Sequence, residues 1–432
     1  MYYLLLLLLF LITLGIAAYI LNGRDILSPW LISITVISLS VIVCLVNVGK
    51  WNIEIYPLTI LLLFLALLLF GVGDVVSKTL GRSFFKSNNH RLFDEKPIKV
   101  SSGITMLFVI FMGGTLFLYF RYIYSISLLA GNSGGYDEMF KFARYAVINT
   151  KYQTEVPSYL SHFLMMSKTI AYVYIFSLIY NKLFFNRINI SYFFPIIMYG
   201  IQISISTARI DFIRLIVYIL MLFFILWKKS NNWDRMVDVK IILLGVVGII
   251  VFLILFRFLG FLTGKTDVRN LWDDISIYIG SSIVGLNQYL REPGQSEFFG
   301  KETLYNIYTI LRKLRLTSVA EYNTPLEFIY FSDFRTNIYT SLRRYIQDYG
   351  QFGMLFIFFI QGMFYSGWME KIKRTTTSAI NIIIFCSIFY PVVEVAIDEQ
   401  FVSNIFTLAT LYQSIYLYIF FHLITRRKIY FN

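Results

Sequence analysis

The chain has 432 residues, 57% of them hydrophobic and only 15% charged, with a net charge of +13. Soluble domains carry roughly 25% charged residues, which argues against a soluble fold. Apolar runs of about 18 residues or more recur along the whole length and predict an all-α polytopic membrane protein. In such a chain a basic excess marks cytoplasmic loops and does not imply nucleic-acid binding. Cys44 and Cys386 both lie in apolar segments, against a structural disulfide, and His90, His162 and His422 are scattered without metal-ligand spacing.

In chain order the pattern predicts about eleven transmembrane helices. Tyr2–Leu21 lacks the basic start of a signal peptide and reads as the first span. The next are expected at 30–48, 55–76, 103–129, 160–184, 190–205, 210–227, 239–262, 352–369, 379–395 and 402–424. The third span carries Asp74 near its end, and Arg121 and Arg257 fall inside spans. The most basic loop, 78–100, holds Lys78, Arg82, Lys86, Arg91, Lys96 and Lys99 and should be cytoplasmic. Alternation then places the N-terminus outside and the C-terminus inside, and every inner loop contains Lys or Arg. Residues 1–432 read as a single integral membrane domain. Residues 263–351 form one large external loop between the eighth and ninth spans, with helical pieces expected at 275–290 and 304–314. Its segment 263–349 holds ten basic and ten acidic residues; long loops escape the charge rule.

Residues 334–350, FRTNIYTSLRRYIQDYG, set a dense polar cluster directly before a membrane span. Bilayers penalise such groups unless they pair or face a cavity, so the cluster reads as a functional site. On a helix, Thr336, Tyr339 and Arg343 share a face, while Arg344 and Asp348 form an i,i+4 pair, leaving Arg343 the freer cation. Thr207, Arg209, Asp211 and Arg214 fall at a tight turn on the same side of the membrane. Asp211 and Arg214 are spaced to neutralise each other. Arg209 stands at a helix start, where free backbone N–H groups favour an anion. The planar fork of arginine grips phosphate oxygens two at a time, so the external face offers a diphosphate site. Arg343, Arg209, Asp348 and Asp333 are the catalytic candidates. Arg335, Arg344, Arg214, Thr336, Asn337, Tyr339 and Thr207 are the substrate-binding ones. Asp273, Asp274, Glu321, Glu327, Glu394 and Asp398 are further possible acids or bases, and sequence does not choose among them. The absence of a phosphate-cradling loop or dinucleotide fingerprint argues against a nucleotide-dependent enzyme.

The stretch TNIYTSLRRYIQDYGQFGMLFIFFIQGMFYSG resembles the signature of the Wzy-type oligosaccharide repeat-unit polymerases through Thr336, Asn337, Tyr339, Thr340, Arg343, Asp348, Tyr349, Gly350, Gly353, Gly362 and Gly367. The last two stand one residue further apart than in the family pattern. The segment SISTARIDFIR is similar to a second family motif through Ser206, Thr207 and Arg209, with Ala208 and Ile210 departing from it. The two motifs cover about 50 residues. The resemblance implies a glycosyltransferase of the membrane-embedded C type in the bacterial cytoplasmic membrane, with its large loop periplasmic. It implies transfer of a growing glycan from undecaprenyl diphosphate onto a new lipid-linked unit, without metal, nucleotide or other cofactor. The expected partners are the undecaprenyl-diphosphate-linked oligosaccharide, the lipid bilayer and a polysaccharide chain-length regulator. Rival readings are an O-antigen ligase, disfavoured because residues 263–349 contain no His, and a flippase or transporter of the lipid-linked unit, suggested by the arginines within spans.

Overall fold

The computed structural model describes residues 1–84, 96–136, 138–148, 156–206, 210–231, 233, 270–319, 326–426 and 429–431. The expected eighth span, residues 85–95 of the basic 78–100 loop, Arg257, Glu321, Thr207 and Arg209 lie outside the described residues. The helices, in order, are α1 (Tyr2–Leu21), α2 (Pro29–Trp51), α3 (Pro57–Phe84), α4 (Ser102–Leu129), α5 (Met139–Ile148), α6 (Ser158–Phe185), α7 (Phe193–Ile205) and α8 (Ile210–Ser230). After them come α9 (Leu271–Arg291), α10 (Tyr305–Lys313), the strands β1 (Ile329–Phe331) and β2 (Phe334–Thr336), and α11 (Leu342–Arg374). The chain closes with β3 (Thr377–Ser378), α12 (Ala379–Ser387), α13 (Tyr390–Glu394), α14 (Leu408–Thr425) and β4 (Tyr430–Phe431). Among the described residues eight helices are long and apolar enough to cross a membrane. The protein is therefore a mostly helical multi-pass membrane protein.

Several expected spans differ in detail. The sixth, α7 with a short 3-10 turn before it, falls among the shorter apolar helices. The tenth is two pieces, α12 and α13; Pro391, in the first turn of α13, has no N–H to continue a helix through this point. The eleventh begins at Leu408, after a π-helical turn at Phe401–Ile405. The ninth is longer than expected, because α11 starts ten residues earlier and bends at Gly350 (φ 69°, ψ −177°), a backbone conformation open essentially to glycine alone.

The chain divides into two compact units. The first comprises Met1–Ser87, Arg269–Thr375 and Ile388–Thr410. Its central contact is α3 against α11, and glycines let these two helices approach closely. A Cβ on Gly362 would stand 2.1 Å from the Phe70 carbonyl oxygen, and one on Gly73 would stand 2.2 Å from that of Phe359. A Cβ on Gly367 would meet only Ser77 Cβ, at 3.5 Å. Backbone cannot move aside as a side chain can. Gly362→Ala should thus cost about 1–3 kcal/mol or more through overpacking, whereas Gly367→Ala should be near neutral. Thermal melting of the detergent-solubilised protein checks this; equal melting temperatures for the two variants would show that the helices do not pack this closely.

The expected external loop is not a separate hydrophilic appendage. Its helix α9 buries Ile283, Val284 and Leu286 in the core that holds Leu63, Ala66 and Leu67 of α3. Gly280 of α9 faces the backbone nitrogen of Cys44 in α2, 2.9 Å from where its Cβ would be. Asn287 accepts hydrogen bonds from Tyr56 N (2.7 Å) and Thr59 Oγ1 (3.0 Å) and donates to Glu54 O (2.8 Å), tying α9 to the chain entering α3. Toward the other end of α3, Asp74 is fully buried and neutralised by Lys78 at 2.5 Å.

The second unit comprises Asn88–Val268, Thr376–Ser387 and Leu411–Asn432. It is built on α4, α6, α7 and α8 and is rich in buried tyrosine. Tyr172 and Tyr218 stack with ring centroids 3.9 Å apart, and the Tyr218 hydroxyl donates to Tyr172 O at 2.8 Å. Strands β3 and β4 pair antiparallel. Arg121 is exposed on α4.

Candidate functional site

The helix expected to carry Thr336, Tyr339 and Arg343 on one face begins only at Leu342. Thr336 instead ends β2, which pairs antiparallel with β1, Ile329 opposite Thr336 and Phe331 opposite Phe334. The reason is local. Thr336 Oγ1 accepts from the backbone N–H of Ile338 two residues on (3.1 Å) and shares a hydrogen bond with Ser281 Oγ of α9 (2.8 Å). Such a side-chain bond competes with helix formation. Phe331 and Phe334 pack their rings against Trp51, centroids 5.4 and 6.4 Å away. Asp333 falls at the exposed hairpin tip, and Arg335 is exposed with its guanidinium 5.5 Å from the centroid of the Phe328 ring. Asn337 is half-buried. Among the described residues, the groups against Arg343 are Tyr289, Tyr339 and Glu327, and not Asp333, Arg335 or Asn337.

Arg343 is 5% exposed. Its guanidinium carbon lies 4.7 Å from the centroid of the Tyr339 ring and 4.9 Å from that of Tyr289 in α9. Burial pushes both phenols up to about 12, with the arginine pulling the other way, so both keep their protons at neutral pH. The Tyr339 hydroxyl donates to Glu327 O at 3.2 Å. Arg343 Nη2 donates to Glu327 Oε1 at 2.8 Å, so Arg343 is not the unpaired cation expected. Among the described residues, its Nε and Nη1 are buried without a hydrogen-bond partner. Thr340 Oγ1, Ser341 Oγ and Gln347 Oε1 share that state, which makes five orphaned side-chain atoms within eight residues. Native interiors satisfy nearly all such groups, so this concentration of exceptions makes the segment the candidate site.

Arg344 does not pair with Asp348. Its Nε and Nη2 donate to the two oxygens of Asp398, at 2.8 and 3.1 Å, and its Nη1 donates to Glu302 at 2.5 Å. Asp348 is occupied elsewhere. It accepts from Ser296 Oγ (2.5 Å), the backbone N–H groups of Glu302 (3.1 Å) and Thr303 (2.8 Å), and Thr303 Oγ1 (2.8 Å). Exposed i,i+4 ion pairs contribute only about 0.2–0.5 kcal/mol, which buried N–H donors to a carboxylate readily outweigh. Asp348 therefore braces the 296–303 loop. One residue beyond Asp398, Glu399 is buried and accepts from Tyr345 Oη (2.8 Å), Val402 N (2.6 Å) and Ser403 N (3.1 Å). Burial pushes its carboxyl above the usual range, and the hydrogen bonds from Ser403, Tyr345 and Val402 oppose that shift.

Every group in this cluster belongs to the first unit. Tyr289 and Glu302 escaped the sequence reading. Three acids within the seven-residue turn EVAIDEQ, between two apolar runs, were the one visible hint that a buried cation awaited partners there. In the second unit, Arg214 Nη1 lies 3.9 Å from Asp211 Oδ1, the i,i+3 pair that the spacing suggests. Among the described residues no group of His, Cys, Asp and Glu is arranged to hold a metal ion. No family model, curated protein or solved structure matches the chain.

Proposed function

We propose that this protein is a Wzy-type polymerase. It would join undecaprenyl-diphosphate-linked oligosaccharide units at the periplasmic face of the bacterial cytoplasmic membrane. In this reading the chain has about eleven spans in a C-type glycosyltransferase architecture, its N-terminus periplasmic and its C-terminus cytoplasmic. The 263–351 segment then faces the periplasm. The observation that carries the proposal is the buried, half-satisfied guanidinium of Arg343 inside the motif that resembles the family's. A cation with two orphaned donors beside a membrane span is suited to an oxyanion that develops during reaction.

The chemistry follows from that placement. The bond between the glycan's anomeric carbon and the diphosphate oxygen breaks, and its electron pair stays on the diphosphate. A hydroxyl at the non-reducing end of the incoming unit attacks that carbon and forms the new glycosidic bond, and its proton passes to a carboxylate acting as base. Arg343 stabilises the leaving diphosphate. Arg344, Asp348, Asp398 and Glu302 hold the segment in shape.

The test is reconstitution. Purified protein in liposomes with a synthetic lipid-diphosphate-linked repeat unit should yield a ladder of products spaced by one repeat, in chelator and without nucleotide. A single transfer onto a lipid A core acceptor, with no ladder, would instead indicate a ligase. Translocation of the intact unit without any new glycosidic bond would indicate a flippase.

A further inference from the structure

We propose that Glu327 is the specificity-determining residue of the Arg343 site: it plugs the guanidinium, and a ligand enters by exchanging with it. The inference rests on the diphosphate reading above. The observations are three. Arg343 is enclosed by the rings of Tyr289 and Tyr339, and its Nε and Nη1 are buried. Its Nη2 is the nitrogen that meets Glu327, at 2.8 Å. The Arg343 side chain is 6% exposed, while that of Glu327 is 68% exposed. The carboxylate thus sits where the buried cation approaches the surface.

The stereochemistry of guanidinium gives this contact a consequence. An oxyanion gripped by two donors uses either the Nε and Nη2 edge or the Nη1 and Nη2 edge. Nη2 belongs to both. Nη2 carries one N–H on each edge, so Glu327 Oε1, holding one of them, closes the edge it faces to a two-pronged ligand. A weak or singly charged anion competes poorly with a carboxylate tethered at its site. A diphosphate brings more charge and several oxygens, and it displaces an exposed carboxylate that is held by one hydrogen bond. Glu327 would thereby exclude single carboxylates and monophosphates and admit the diphosphate. Once displaced, it stays within reach of the bound ligand.

The experiment is calorimetric titration of the full-length protein in detergent with inorganic pyrophosphate, farnesyl diphosphate and farnesyl monophosphate. The wild type is compared with Glu327→Gln, Glu327→Ala and Arg343→Ala. Removing the competing charge should tighten binding about two- to fivefold, the range expected for losing one mostly exposed ion pair. The gain should be larger for the monophosphate, so that the preference for diphosphate narrows. Glu327 is exposed, so both of its variants should fold, and a melting temperature within a few degrees of wild type verifies it. Affinity that is unchanged or weaker in Glu327→Gln, including no binding by either protein, overturns the plug. So does an unaltered ratio of diphosphate to monophosphate affinity. Tightening for pyrophosphate but not for farnesyl diphosphate would overturn it for the lipid-borne ligand. The polymerase reading is judged separately by the repeat-unit ladder, which an unaltered Glu327→Gln affinity leaves intact.

Discussion

Arg343→Ala is expected to slow chain growth by about two to three orders of magnitude, the loss seen when one positioned donor is removed from a developing anion. It should do so while the protein still inserts and accumulates. Two features of the site separate the effects. Among the described residues Nε and Nη1 have no hydrogen-bond partner, so the folded state draws little hydrogen-bond energy from this side chain. Its single ion pair is to a carboxylate that is mostly exposed, and such pairs contribute about 0–1 kcal/mol. What folding loses is the packing against Tyr289 and Tyr339, the cation–π part of which is worth about 0.5–2 kcal/mol. Arg343→Lys should recover little activity, because an ammonium is a point charge without the two-pronged geometry. The measurement is product-ladder length normalised to protein in the membrane. Near-normal ladders from Arg343→Ala would remove this arginine from the reaction even if the protein polymerises.

Arg344→Ala is expected to act in the opposite sense, on folding first. Arg344 ties α11 to Asp398 in the turn after α13 and to Glu302 in the loop before α10. Glu302 is buried, and the Asp398 side chain is 25% exposed. Removing the shared cation leaves two adjacent carboxylates without compensation, and breaking a buried pair in this way costs about 3–5 kcal/mol. Partial exposure of Asp398 puts the expected value at the lower end, about 3 kcal/mol. Abundance in the membrane and the melting temperature should both fall sharply, while the activity of the surviving protein falls less than in Arg343→Ala. A double variant, Arg344→Met with Glu302→Gln, should recover part of the loss, because it removes one of the stranded charges along with the cation. Wild-type abundance and melting temperature for Arg344→Ala would show that the triad does not hold these segments together.

The two arginines are adjacent in sequence and alike in composition. What distinguishes them is how fully their donors are used. Arg344 spends three nitrogens on two carboxylates, whereas Arg343 spends one on an exposed carboxylate and buries two unpaired. Sequence spacing also set the two apart, but through an Arg344–Asp348 pair that does not form. The i,i+4 rule ranks partners along one helix and is blind to carboxylates from elsewhere in the chain. Here Asp398, 54 residues away, and Glu302, 42 residues away, supply better geometry than Asp348 does.

The sequence by itself determined that this is a multi-pass helical membrane protein and placed most of its long helices. That information is local, since a run of apolar residues must bury its backbone polar groups in helix whatever its neighbours are. It also marked residues 334–350 as exceptional, because polar groups crowded beside a membrane span stand out one residue at a time. Only the tertiary structure decided that β2 interrupts the expected helix at Thr336 and that α9 belongs to the core. Only the tertiary structure, likewise, showed that Tyr289 and Glu327 join Tyr339 around Arg343. Each of these depends on groups distant in sequence meeting in space. Burial then makes unpaired donors costly, and which donors remain unpaired is a property of the packed arrangement and not of any one segment.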